Sequence, residues 1–144
     1  MEINYLLVTA QLLITCGLSA LIGWERQKTK TVVKGTAGLR THMLVALGAV
    51  LLTLISIYGF QQFSNADPGR IISYIVMGIG FLGAGTIIAH QGKVYGLTTA
   101  ASIWLVAAIG IAVGLGLYII AIITTVFALI VLELWRLEKN FNNP

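Results

Sequence analysis

The charged residues, the first place to look for chemistry in this sequence, stand at the edges of long apolar runs. Glu25 and Arg26 follow the first run, and Arg40 precedes the second. An opposite charge lowers the cost of holding an ionised group beside an apolar region, so we expect Glu25 to lie close to Arg40. The alternative is that all three are solvated, with Arg26 extending its stem towards polar surroundings. Either arrangement is structural rather than catalytic.

A second polar set, Asp67-Pro68-Gly69-Arg70, stands at the start of the third apolar run. Asp is a favoured N-cap residue and Pro is favoured at the first helical position, so this order predicts a helix start. Capping accounts for Asp67, whereas Arg70 has no such explanation. For these two residues we keep open a role in ion access or in contact with a partner.

The remaining reactive side chains do not form a site by spacing. His42 and His90 flank apolar runs, and the single Cys16 lies within one. Separated histidines without clustered carboxylates or thiols lack the pattern of a metal site, so we expect no metal and no cofactor. Nothing resembles a nucleophile beside a base, which predicts a protein that is not an enzyme. The apolar runs also lack charged residues at their centres, which counts against an ion-coupled transporter.

Closely spaced glycines in the third apolar run match the nucleotide-binding pattern GxGxxG. That pattern requires a preceding strand and a polar helix start, whereas these glycines lie inside a hydrophobic run. We interpret them as helix-packing residues, because small residues let backbones approach closely in membranes. They fall on two faces of one helix, so we expect this helix to be the most enclosed and Leu at position 80 or 83 to overpack it. The small residues concerned are Gly78, Gly80, Gly83, Ala84 and Gly85.

Another small-residue pair, Gly110-x-x-x-Gly114, lies in the fourth apolar run. Such pairs often mark close helix crossings. The crossing can lie within one chain or between two copies, so a homo-oligomer remains open.

The elements that position these residues follow from the length of the apolar runs. No Asp, Glu, Lys or Arg occurs in the 39 residues from Val94 to Leu132. One helix of that length would be about 58 Å long, nearly twice the roughly 30 Å of a bilayer core. Two helices fit if the chain reverses near Gly114-Leu-Gly116.

Composition supports the same conclusion for the whole chain, since 58% of its residues are hydrophobic and only 10% are charged. Helices are expected because unpaired strand edges cannot face lipid. The predicted fold is an all-α, polytopic membrane helix bundle in a single domain. The fourth and fifth segments are short, which leaves a partly re-entrant fourth segment open. The predicted spans are 5–24, 42–60, 70–89, 97–113 and 118–134.

The distribution of basic residues predicts the orientation of the five spans. Eight of the nine Lys and Arg residues lie in the first connector, the third connector and the C-terminal tail. Basic residues in short loops stay in the cytoplasm. We therefore expect the N-terminus outside and the C-terminus inside. The net charge of +4 serves this topology and does not indicate a nucleic-acid partner.

Several short motifs, in order along the chain, resemble those of the MgtC/SapB family of bacterial membrane proteins. This resemblance makes Glu25, Arg26, Arg40, Thr41 and His42 candidate functional residues, together with Asp67 and Arg70. The matching segments are IGWERQ at 22–27, AGLRTH at 37–42, DPGR at 67–70, GIGFLGAG at 78–85 and GLTTAASIW at 96–104.

The resemblance implies a bacterial plasma-membrane protein linked to growth at low magnesium and, in pathogens, to survival inside host cells. It implies action by binding and modulating other membrane proteins, including ATP synthase. Longer members continue into a soluble C-terminal domain that we expect residues 1–144 to lack, and shorter members are associated with acid stress. The alternative function is that of a small oligomeric channel or ion transporter.

Cysteines placed at Asn65 and Lys30 in a Cys16→Ser background will test the orientation. An impermeant thiol reagent added to intact cells should label position 65 and leave position 30 protected, because the basic connector is expected in the cytoplasm. Labelling of position 30 with position 65 protected would reverse the orientation.

Overall fold

The structure, a computed structural model, describes residues 3–28, 37–63, 65, 67–90 and 92–141. Five helices account for most of this part of the chain, and a two-stranded antiparallel hairpin joins the third helix to the fourth. The elements are α1 (Tyr5–Lys28), α2 (Leu39–Tyr58), α3 (Pro68–Ala84), β1 (Ile88–His90), β2 (Lys93–Tyr95), α4 (Leu97–Gly114) and α5 (Tyr118–Phe141).

The helical membrane fold predicted from the sequence is confirmed. By length and composition, α1, α2 and α4 are each long and apolar enough to cross a membrane. The apolar parts of the other two helices, Pro68–Ala84 and Tyr118–Leu134, are shorter. The fourth helix is continuous over 18 residues, so no re-entrant break interrupts it. The predicted reversal after Gly114 is also present, with Gly116 at a φ of 79°.

The third segment ends earlier than predicted, at Ala84 instead of residue 89. The Thr86 hydroxyl donates to the Gly83 carbonyl at 2.8 Å, which occupies a group at the end of the helix. The chain then forms the β1–β2 hairpin, which turns at Gly92 with a φ of 75°. At the start of α3 the prediction is confirmed, because Asp67 caps the helix and Pro68 opens it.

Consecutive helices run in opposite directions, as contacts at both ends establish. His42 of α2 bonds to Ser102 of α4, and Gly114 of α4 lies against Thr53 of α2, so these two helices are parallel. Gln11, early in α1, bonds to the end of α4, so α1 is antiparallel to both. We call the end where α1 and α3 finish the Glu25 end, and the other the Arg70 end.

The tightest packing in the bundle is the crossing of α2 and α4. A Cβ atom on Gly110 would lie 2.5 Å from the carbonyl oxygen of Ala46, and one on Gly114 would lie 2.8 Å from Thr53 Cβ. Only glycine permits this approach of the two helices. The small-residue pair predicted from the sequence therefore marks a crossing within one chain.

The prediction that α3 is the most enclosed helix is wrong, because α4 occupies the centre. In α4, 56% of the 18 residues are buried, against 44% of the most apolar 18-residue stretch of α2 and 28% of that of α1. The buried residues of α3 are Ile75, Ile79 and Gly83. A Cβ on Gly80 would meet nothing within 4 Å in the described structure, and one on Gly83 would make ordinary contact with Ala100 at 3.7 Å. Leu at position 80 would therefore not overpack the bundle.

Replacing Gly110 by Ala should destabilise the protein by about 1–3 kcal/mol, the usual cost of overpacking a core. The added methyl group would force α2 and α4 apart at their closest approach. Thermal unfolding in detergent measures this loss.

Gly17→Ala is the matched control, because a Cβ at this helical position meets nothing within 4 Å in the described structure. Replacing a helical glycine by alanine removes a cost of about 0.5–1 kcal/mol, so this variant should be at least as stable as the original. Equal stability of the two variants would contradict the close crossing.

Candidate functional site at the Glu25 end

The ends of α1 and α2 meet closely because the residue at their contact has no side chain. A Cβ on Gly23 would lie 2.8 Å from Leu39 Cα and 3.1 Å from His42 Cβ. One turn further on, the Gln27 side-chain oxygen accepts a hydrogen bond from the Leu39 backbone N–H at 3.2 Å. A side chain of α1 thus satisfies a free donor at the start of α2. The first two motifs of the sequence are therefore neighbours in space.

His42 lies fully buried at this end of the bundle. Its Nδ1 is 2.8 Å from the Gly38 carbonyl oxygen, and its Nε2 is 2.9 Å from the Ser102 hydroxyl. The same hydroxyl lies 2.8 Å from the Thr99 carbonyl oxygen. A carbonyl can only accept, so Nδ1 must carry a proton. The histidine thereby joins α2 to α4.

The Ser102 hydroxyl can satisfy either protonation state of His42. Beside a neutral ring it donates to Nε2, and beside an imidazolium it accepts from Nε2 and donates to the Thr99 carbonyl. The sequence offered no sign of this histidine–serine contact, because 60 residues separate the two. Ser102 is 4% exposed, at the border of a mostly apolar cavity of about 320 Å³ between α4 and α5. The contact is that of a buried structural pair.

The expected pairing of Glu25 with Arg40 is wrong. Glu25 pairs with its neighbour Arg26, with Oε2 3.6 Å from the guanidinium Nη1, and in the described structure no ion pair within 4 Å joins it to Arg40. Helix α1 continues to Lys28, which places Glu25 one turn after the buried Ile22 and brings it to 8% exposure. Arg40 is two positions before the buried His42, so it points outward and is exposed.

The other predicted residues fall in three places. Thr41 lies at the Glu25 end, where it lines a cavity of about 360 Å³ with Ala84 and Gly85. Asp67 and Arg70 lie at the opposite end of the bundle, where Asp67 Oδ1 accepts from the Gly69 N–H at 2.9 Å. The predicted packing residues Gly110 and Gly114 lie in the α2–α4 crossing. The side chain of His90 lies outside the described part of the structure.

Sequence reasoning missed a row of buried polar residues in α1. Gln11, Thr15 and Ser19 recur at every fourth position and are between 0% and 3% exposed. Gln11 Nε2 donates to the carbonyl oxygens of Val113 and Gly114 at 3.0 and 3.3 Å, so it caps the end of α4. The signal was present, since polar residues four apart in an apolar run share one helix face.

Metal-binding groups do not gather in the described residues, where no cluster of three His, Cys, Asp or Glu side chains is found. The short motifs are instead spread over both ends of the bundle. The profile of the MgtC family matches residues 12–141. The chain belongs to the MgtC family. The resemblance inferred from the motifs is thus confirmed, and the chain is a membrane protein.

Named relatives of the chain differ in length from it. It is 42% identical over 150 residues to YhiD of Escherichia coli (strain K12), which is named as a proposed magnesium transporter. The aligned region covers 94% of this chain and 68% of that protein. It is 46% identical over 112 residues to the MgtC protein of Salmonella typhimurium, covering 78% of this chain but only 45% of that protein. No solved structure matches the chain.

Replacing Ser102 by Ala should destabilise the protein by about 1–3 kcal/mol, because a buried polar group loses one of its hydrogen bonds. His42 Nε2 would lose the hydroxyl at 2.9 Å. The free energy of unfolding in detergent measures the loss.

Ser73→Ala is the control, because Ser73 is exposed and its hydroxyl bonds to the Gly69 carbonyl within its own helix. Its effect should stay within about 0.5 kcal/mol. If Ser102→Ala proves as harmless as Ser73→Ala, the histidine–serine contact does not hold α2 against α4.

Proposed function

We propose that this chain is a non-enzymatic regulator that acts by binding helices of other membrane proteins within the bilayer. The observation that carries the proposal is the outward face of α3. Gly80 and Ala84 are both exposed one turn apart, and a Cβ on Gly80 would meet nothing within 4 Å in the described structure. This small-residue pair is free to receive another helix.

The physics of helix association in lipid supports this use of α3. Lipid tails are as apolar as leucine, so burying more apolar surface does not drive helices together, whereas close backbone approach does. Gly110 and Gly114 already allow such close backbone approach between α2 and α4 inside the chain. The Gly80–Ala84 pair offers the same chemistry outwards, flanked by the exposed side chains of Met77 and Phe81.

The cellular role that fits the family is adaptation to low magnesium or acid stress and, in pathogens, survival in the host. ATP synthase is one proposed partner. We place the chain in the bacterial plasma membrane, with all five helices crossing and the N-terminus outside. The alternating helix directions support the five crossings, and the distribution of basic residues supports the orientation.

Transport is the second candidate. It is favoured by the name of the YhiD relative and by Gln11 Oε1 and Thr15 Oγ1, which are buried without a hydrogen-bond partner in the described structure. Such atoms can line a polar path, in one chain or an oligomer. However, Mg²⁺ keeps several waters and is usually held through one or two carboxylates. The buried row in α1 contains amide and hydroxyl groups only, so it suits a hydrated Mg²⁺ poorly.

Replacing Gly80 by Leu should reduce the recovery of co-purified membrane proteins about tenfold, equivalent to about 1.4 kcal/mol of lost association energy. The leucine would block close approach of a partner helix without disturbing the fold. Tagged protein should be cross-linked in native membranes and its partners measured by quantitative mass spectrometry.

Gly17→Leu, on an open face of α1, is the matched control and should retain the partners. Purified protein in liposomes should give no Mg²⁺ flux above empty vesicles. Two results together would favour transport over regulation. These are a saturable Mg²⁺ flux that Asp67→Ala abolishes, and unchanged recovery of partners by Gly80→Leu.

A further inference from the structure

Two adjoining cavities, one between α2 and α3 and one beside the start of α3, together form a groove with an apolar body and a charged mouth. Both are bordered by Ile71 and Tyr74, so they adjoin at these two residues. The body has a volume of about 530 Å³ and the mouth about 290 Å³. The mouth lies at the Arg70 end, where α3 begins. Tyr74 at the junction is of the type that favours the membrane–water interface.

The body of the groove exists because both of its walls contain a glycine. A Cβ on Gly48 of α2 or Gly78 of α3 would meet nothing within 4 Å in the described structure. The missing side chains leave a slot between the two helices along the lipid-facing side. The apolar side chains that complete its walls are Leu44, Val45, Leu52, Ile75, Ile79 and Leu82.

The mouth of the groove contains one positive and one negative side chain. Arg70 is exposed, and no acidic group lies within 4 Å of it in the described part of the chain. Asp67 borders the same space and uses Oδ1 to cap α3. Its other oxygen has no hydrogen bond within the described structure, so it is available to a ligand. A ligand that fits the mouth therefore brings both charges.

The geometry points to a phospholipid site, with one acyl chain in the groove and an aminoethyl phosphate headgroup in the mouth. The phosphate pairs with Arg70, which matches phosphate oxygens with two parallel donors. The headgroup ammonium pairs with Asp67. This site lies on the α2 side of α3, whereas the proposed partner face around Gly80 lies away from it. An experiment can therefore contradict the lipid site without contradicting the proposed function, and the reverse.

The size of the groove suits an acyl chain. Its 530 Å³ body falls within the roughly 300–1,000 Å³ of small-ligand sites. The charged mouth supports the same assignment, because a phospholipid carries its charged headgroup directly beside its apolar chains.

Native mass spectrometry of delipidated protein, mixed with phosphatidylethanolamine or phosphatidylglycerol at equal concentration, tests the site. One phosphatidylethanolamine molecule should bind per protein chain, and it should bind more tightly than phosphatidylglycerol. Arg70→Gln should reduce its binding about tenfold, the effect of one lost charge-assisted contact. Gly78→Leu should reduce it as strongly by filling the groove. If Gly78→Leu does not fold, Gly48→Leu fills the same groove from α2.

Two matched variants separate this site from lipid that merely surrounds the protein. Gly80→Leu lies on the same helix outside the groove and should bind as the original does. Asp67→Asn keeps the helix cap, since Asn caps as well as Asp, and should abolish the preference for phosphatidylethanolamine. Binding unchanged by both Arg70→Gln and Gly78→Leu would overturn the site. Equal binding of the two lipids by the original protein would overturn the headgroup assignment.

Discussion

The close crossing of α2 and α4 is the constraint on which the rest of the bundle depends. Gly110 and Gly114 let the backbone of α4 approach Ala46 and Thr53, to distances that no side chain would permit. This contact makes α4 the central helix. It also sets the depth at which the two helices align, and therefore the meeting of His42 with Ser102 nearer the Glu25 end.

Polar groups secure the bundle at both ends of α4. At one end His42 bonds to α4 from α2, and at the other Gln11 bonds from α1 to the final carbonyls of α4. A polar group in an apolar interior is costly without a partner, so each of these bonds favours one alignment of the helices over its neighbours. The apolar side chains between them fill space without specifying that alignment.

The same small residues have a different effect in α3, which lies at the edge of the bundle. Exposed apolar surface costs little in lipid, so α3 can remain largely uncovered where a water-facing helix could not. On the α2 side, Gly78 opens the groove that we assign to a phospholipid. On the other side, Gly80 and Ala84 leave a surface suited to a partner helix. One peripheral helix thus provides both proposed binding surfaces.

The sequence by itself determined the membrane-helix class, the reversal after Gly114 and the cap at Asp67, because these depend on local composition and spacing. The family followed from the resemblance of its short motifs. Tertiary structure decided which glycines are enclosed. Gly80 and Gly110 have the same chemistry, but only Gly110 faces another backbone. It also decided that Glu25 pairs with Arg26 and that His42 meets Ser102 across 60 residues. Periodicity gives the relative directions of residues on one helix, whereas their neighbours depend on how the helices pack around α4.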